Sequence, residues 1–267
     1  LFTSFDSDGF SLASGTSSFN ESASTYVAWN WDAGGTGSSN NAGSITSTVS
    51  ANLDAGFSIA TYTGNGTAGA TIGHGLGVAP SFIVTKRRDN TSVWNVYHAS
   101  LGATKVLYLN QTSSQQTDSS VWNNTAPSST VFTVGTDSNI NTNTGTFVAY
   151  CFSEVAGYSK FGSYTGNGSS DGPFVFCGFR PRWLMIKCTN TTGDWFVYDT
   201  ARDTENVSYK WLKPNSSGTE PTGGGDLWDI LSNGFKVRNN NANQNGSSNT
   251  YIFAAFAELP FKYSTAR

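Results

Sequence analysis

Short apolar runs alternate with Gly, Asn, Ser and Thr along the whole chain. Phe57-Ser-Ile-Ala-Thr-Tyr62, Ser81-Phe-Ile-Val-Thr85, Val93-Trp-Asn-Val-Tyr97, Val131-Phe-Thr-Val134 and Phe147-Val-Ala-Tyr-Cys-Phe152 are rich in β-branched and aromatic residues. Gly, Asn, Asp or Pro separates them, so each predicts a strand. The series returns later and ends in Gly234-Phe-Lys-Val237 and Tyr251-Ile-Phe-Ala-Ala-Phe256. Phe235 and Val237 alternate with Lys236 and Arg238, which predicts one buried and one wetted face. Side chains alternate with period two, so Val148, Tyr150 and Phe152 share a face of the closing strand, read as its core face. Ile252, Ala254 and Phe256 are their counterparts. No window carries a sustained helical stripe, and Leu227-Trp-Asp-Ile-Leu231 predicts one helical turn. The fold class that follows is all-β, with antiparallel sandwich-like domains in tandem.

The tandem reading rests on an echo. Tyr62-Thr-Gly-Asn-Gly66 returns as Tyr164-Thr-Gly-Asn-Gly168, Trp94-Asn-Val-Tyr97 as Trp195-Phe-Val-Tyr198, and the run from Thr146 to Glu154 as that from Thr250 to Glu258. Self-similarity at a fixed period is the mark of an internal repeat. Phe10-Ser-Leu12 and Thr25-Tyr-Val-Ala-Trp-Asn-Trp31 match only the closing part of the unit. The predicted organisation is therefore a partial repeat over residues 1–33, a Gly/Ser-rich linker or arm over 34–50, and two β-sandwich repeats over 51–157 and 158–267. The second repeat follows the first without a linker, so the two are expected to abut rigidly. Asn and Gly tolerate positive φ, which makes each Thr-Gly-Asn-Gly a sharp turn.

Charge removes some functions. The formal net charge is -3, and Lys86-Arg-Arg88 is the longest basic run. No basic cluster tracks phosphates, so nucleic acid is not an expected partner. No apolar stretch reaches the length of a membrane-crossing helix, and no signal peptide is recognisable. Leu1 is not a natural start, which reads as a processed chain or a piece of a longer one. High Gly, Ser, Thr and Asn with little Lys and Glu is typical of extracellular or virion-surface β-proteins.

Catalytic constellations are not found. His74 and His98 have no counterpart histidines in the second repeat, so both are read as structural or surface groups. Glu154 and Glu258 end equivalent strands of different repeats and are read as capping, turn or interface groups. Asp6-Ser-Asp8-Gly9 and Asp137-Ser-Asn139 resemble the start of a calcium loop but lack its later ligands. Neither a metal nor a cofactor is expected. Cys151, Cys177 and Cys188 have no ligand spacing and read as small buried hydrophobes, with a Cys177–Cys188 bridge as the alternative. Trp94 and Trp195 read as core, whereas Trp122 and Trp228 lie in polar stretches and are the candidate sugar-stacking platforms. Asn-x-Ser/Thr sequons recur along the chain, and Asn65 and Asn167, in the two matched turns, are candidate glycosylation sites.

The run Thr146-Phe-Val-Ala-Tyr-Cys-Phe-Ser-Glu-Val-Ala-Gly-Tyr-Ser-Lys-Phe-Gly-Ser-Tyr-Thr-Gly-Asn-Gly168 is distinctive. So are Gly172-Pro-Phe-Val-Phe-Cys-Gly-Phe-Arg-Pro-Arg-Trp183, Asp199-Thr-Ala-Arg202 and Phe253-Ala-Ala-Phe-Ala-Glu-Leu-Pro-Phe-Lys-Tyr263. Together they resemble an uncharacterised domain family from predicted tail or virion structural proteins of aquatic bacteriophages. The resemblance covers essentially the whole chain and supplies no catalytic residues. It implies a role in a virion or fibre, either extracellular or virion-associated. Three functions compete: a self-assembling structural protein, a module that binds a host-surface glycan or receptor, and a glycan depolymerase. The first is preferred, because a truncated repeat leaves strand edges for another copy to cover. Phe10, Leu12, Tyr26, Val27, Trp29 and Trp31 are the predicted assembly residues.

Overall fold

The computed structural model describes residues 2–7, 9–13 and 19–258. They form antiparallel β-sheets with only one-turn helices between the strands. The chain divides after Trp31 into two compact units. In the first, β1 (Phe2–Asp6) pairs with β2 (Gly9–Leu12). Residues 25–31, predicted to be a closing strand, belong to no strand.

The second unit begins at Asp32. Its first half contains β3 (Ser38–Asn40), β4 (Ser47–Asn52), β5 (Phe57–Thr63), β6 (Ala70–Gly73), β7 (Phe82–Arg87), β8 (Trp94–His98), β9 (Lys105–Tyr108), β10 (Gln116–Thr117), β11 (Val131–Val134) and β12 (Thr146–Phe152). The large sheet runs β10-β9-β8-β7-β12-β5-β4-β3, and β11 pairs with β6 in a second sheet. Helices α1 (Ser119–Trp122) and α2 (Ser138–Asn141) flank β11 in sequence. The second half contains β13 (Ser159–Thr165), β14 (Phe174–Phe176), β15 (Pro181–Cys188), β16 (Trp195–Asp199), β17 (Trp211–Leu212), β18 (Trp228–Leu231), β19 (Gly234–Val237), α3 (Ala242–Asn245) and β20 (Thr250–Ala257). Its sheets run β13-β20-β15-β16-β17 and β14-β19-β18. The order β5-β12-β7-β8-β9 of the first half thus returns as β13-β20-β15-β16-β17.

Three expectations change here. Residues 34–50 are not a linker: β3 and β4 extend the first large sheet beyond β5. Ser and Thr are acceptable strand residues when a neighbour satisfies the backbone, and β4 buries Ser47 and Val49 on one face. The first sheet therefore starts well before residue 51, with two strands beyond β5 that have no counterpart beyond β13. The segment around Trp228 is strand β18 rather than a helical turn, because β19 offers it an antiparallel partner. The core face of the closing strand is also the opposite one. Phe147, Ala149 and Cys151 enter the first core, and Tyr251, Phe253 and Ala255 enter the second. Val148 and Tyr150 are half-buried outside it.

Phe152 and Phe256, on that other face, are buried for a different reason. They meet with ring centroids 5.7 Å apart, and Phe82 stacks on Phe161 at 5.8 Å. This aromatic layer joins the two halves of the second unit. Polar bonds extend the contact: Trp195 Nε1 donates to the Tyr108 carbonyl at 2.9 Å, and Lys187 Nζ donates to that of Thr112 at 3.2 Å. The contact withdraws Lys187 from water, and its pKa falls from the usual lysine value to about 8.

Candidate functional site

The two matched turns are held by buried asparagines that the sequence pattern does not single out. Asp137 caps α2 by accepting from Asn139 N, and Asn241 caps α3 by accepting from Asn243 N. These caps aim Asn141 and Asn245 inward. Asn141 Oδ1 accepts from Asn65 N at 3.0 Å, while its Nδ2 donates to the carbonyls of Thr67 and Gly135 at 2.9 and 2.7 Å. Asn245 Oδ1 accepts from Asn167 N at 2.9 Å, and its Nδ2 donates to the carbonyls of Ser169 and Asn239, each at 2.7 Å. Gly66 and Gly168 both sit at φ +70°, which the turn requires. Tyr62 and Tyr164 complete the pattern by donating to the carbonyls of Ile140 and Gln244. Burial raises both phenol pKa values well above the usual range.

Trp122 and Trp228 are not sugar platforms. They are 2 % and 0 % exposed. Trp228 Nε1 donates to Gln244 Oε1 at 2.8 Å, and that oxygen also accepts from Tyr198 and Asn239. Their polar neighbours in sequence turn away while the indoles fill the two cores. Asn65 and Asn167 are exposed, and each side-chain oxygen accepts a backbone N–H two residues on. Asn245 also begins a sequon, but its side chain is buried.

The histidines serve the backbone. His98 Nδ1 accepts from Ser100 N at 3.1 Å, so Nε2 carries the proton and donates to the Phe253 carbonyl of the other half at 3.1 Å. His74 repeats the arrangement with Leu76 N and the Ser128 carbonyl. Burial lowers both pKa values, that of His98 to about 4. Between about pH 6.5 and 4 the unfolded chain binds the His98 proton and the folded chain does not. Stability should therefore fall as the pH drops through that window, and His98→Gln should flatten the decline. An identical pH profile for this variant, measured by urea denaturation, would remove His98 as the cause.

The acids and cysteines singled out in the sequence are also engaged structurally. Glu154 pairs with Lys160, and Glu258 pairs with Arg180. Cys151, Cys177 and Cys188 are free and buried, so the Cys177–Cys188 bridge is not formed. Burial pushes the Cys151 and Cys177 thiols up to about 12. Among the described residues no group of three or more His, Cys, Asp or Glu is placed to hold a metal ion. Asp8, part of the first calcium-like stretch, lies outside the described residues. An open cleft of about 570 Å³ near Leu53, Asp54 and Tyr158 brings one carboxylate to its lining, not an acid pair.

The first compact unit differs from all of this, because several of its large apolar side chains are exposed. Phe2 pairs with Leu12 and Phe5 with Phe10, and a register irregularity between Phe2 and Ser4 puts both Phe2 and Phe5 on the same side. Their rings stack at 5.7 Å, and Phe10 lies 5.3 Å from Phe2. Phe5 is nevertheless 83 % exposed, and Phe2, Phe19, Tyr26 and Val27 are exposed with it. Of the predicted assembly residues, Phe10, Leu12, Trp29 and Trp31 are half-buried. Phe2, Phe5 and Phe19 stand outside the residues predicted for assembly. The signal was present in the aromatic density of the first strand pair, but only the register shows that the rings gather on one side.

The fold defines an all-β protein of several antiparallel sheets whose buried polar groups hold turns and the contact between its two halves. A family model described as a domain of unknown function (DUF7483) matches residues 1–260, and the chain belongs to that family. No curated protein and no solved structure matches it.

Proposed function

We propose that this protein is a structural subunit of an extracellular fibre or virion appendage, of the kind implied by the resemblance to phage tail proteins. It assembles head to tail through its N-terminal segment. The observation that carries this reading is the β1–β2 hairpin with Phe2 and Phe5 exposed on a sheet of only two strands. An isolated two-stranded hairpin is marginal in water and gains stability by joining a further surface. Contact between different surfaces of identical subunits propagates when its rotation does not close a ring. The glycan-binding alternative is weakened, because Trp122 and Trp228 are buried.

The test is deletion of residues 1–31, followed by light scattering and negative-stain microscopy beside the intact chain. A cut at residue 50 would also remove β3 and most of β4 and so damage the first sheet. The intact chain is expected to form filaments and the shortened chain to stay monomeric and folded. Filaments of equal length from both would overturn the proposal.

A further inference from the structure

The two repeats treat one surface differently. Phe132 pairs with Ile72 in the first, and Phe235 pairs with Val175 in the second. Gly69 N donates to the Val134 carbonyl, and Gly172 N to that of Val237. These matched bonds set Thr71 against Phe174 and Gly73 against Phe176.

In the first repeat the chain's own N-terminal side covers the outer side of β6. Ile45 bridges to Ile72 in parallel, and its N–H donates to the Thr71 carbonyl at 3.0 Å. Ser44 and Thr71 exchange two further bonds, and Ser47 Oγ donates to the Gly73 carbonyl at 2.8 Å. In the second repeat β14 is an edge strand, and no described segment repeats this cover. Phe174 and Phe176 are 46 % and 63 % exposed there.

The missing cover cannot simply be another copy of residues 38–47. A Cβ added at Gly73 would run into the Asn40 side chain, and a whole phenyl ring stands at the matching Phe176. The second surface suits an apolar, aromatic partner instead. The same chain carries one in the β1–β2 hairpin, whose Phe2 and Phe5 are exposed. Two sets of exposed aromatic side chains, each on a strand with an edge that pairs with no described strand, are suited to bury each other.

We propose that the edge of β14, with Phe174 and Phe176, is the acceptor for the N-terminal hairpin of a second copy. This inference rests on the assembly reading above and supplies its missing half. The contact joins different surfaces of the two copies, so each subunit offers one donor and one acceptor.

Two full-length variants test it: Phe2→Ser with Phe5→Ser as a broken donor, and Phe174→Ser with Phe176→Ser as a broken acceptor. All four side chains are exposed, so the thermal unfolding of both variants should stay close to that of the parent chain. Each variant alone should assemble about a hundredfold more weakly, as the loss of central aromatic anchors implies. Mixed in equal amounts, they retain one intact donor and one intact acceptor. Analytical ultracentrifugation should then show a heterodimer and nothing longer. If the acceptor variant forms filaments like the parent while the donor variant does not, the hairpin assembles elsewhere and the β14 assignment is wrong. A parent chain that stays monomeric, or a donor variant that assembles normally, would overturn the assembly reading itself and this inference with it.

Discussion

Trp228→Ala should be among the most damaging single substitutions in the C-terminal half, costing about 3–5 kcal/mol of stability, the range for a large aromatic removed from a packed core. The indole packs against Tyr198 and Phe235 with ring centroids 5.3 and 5.4 Å away, and no solvent reaches it. It also donates to Gln244 Oε1. Trp228→Phe therefore keeps most of the packing but removes one buried bond, at about 1 kcal/mol or somewhat more. Trp122 provides the contrast. It fills the first core, but its Nε1 has no hydrogen-bond partner in the structure. Trp122→Phe should be the milder of the two phenylalanine exchanges, and Trp122→Ala comparable to Trp228→Ala. Urea midpoints measure all four. A Trp228→Ala variant with the parent midpoint and lost glycan binding would restore the indole as a surface platform.

Asn245→Ala comes next and acts through unpaired backbone. The side chain joins the turn at Asn167 to the carbonyls of Ser169 and Asn239. Each buried group left without a partner costs about 1–3 kcal/mol, so a total of about 3–5 kcal/mol is expected even if water recovers some of the bonds. Asn141→Ala should behave alike in the first repeat. Asn245→Asp should be at least as damaging at neutral pH, because a carboxylate replaces two donated bonds with repulsion from two carbonyls. A loss below about 1 kcal/mol for Asn245→Ala would show that the turn stands without its asparagine.

The strand positions were legible because period-two alternation and β-branched, aromatic composition are local properties. The matched turns were also visible, since Asn and Gly at positive φ leave a mark in sequence. The partners of those turns were not visible. Asn141 lies 76 residues beyond the Asn65 backbone it binds, and a chain rich in Asn offers no local sign of which asparagine is buried. The same gap misplaced Trp122 and Trp228, whose polar sequence neighbours say nothing about where the indole points.

Sequence alone determined that the chain is a series of short antiparallel strands, that a pattern returns within it, and that its charge is sparse. Tertiary structure decided which face of each strand became core. A closing strand with apolar residues on both faces has two candidate cores, and the contact of Phe152 with Phe256 shows that one face belongs to the junction between the two halves. Tertiary structure also decided that the stretch 34–50, read as a linker or arm, supplies β3 and most of β4 to the first sheet. Ser, Thr and Asn carry weak preferences of their own, and the open edge of β5 supplied the hydrogen bonds that made β4 a strand, as β4 did for β3.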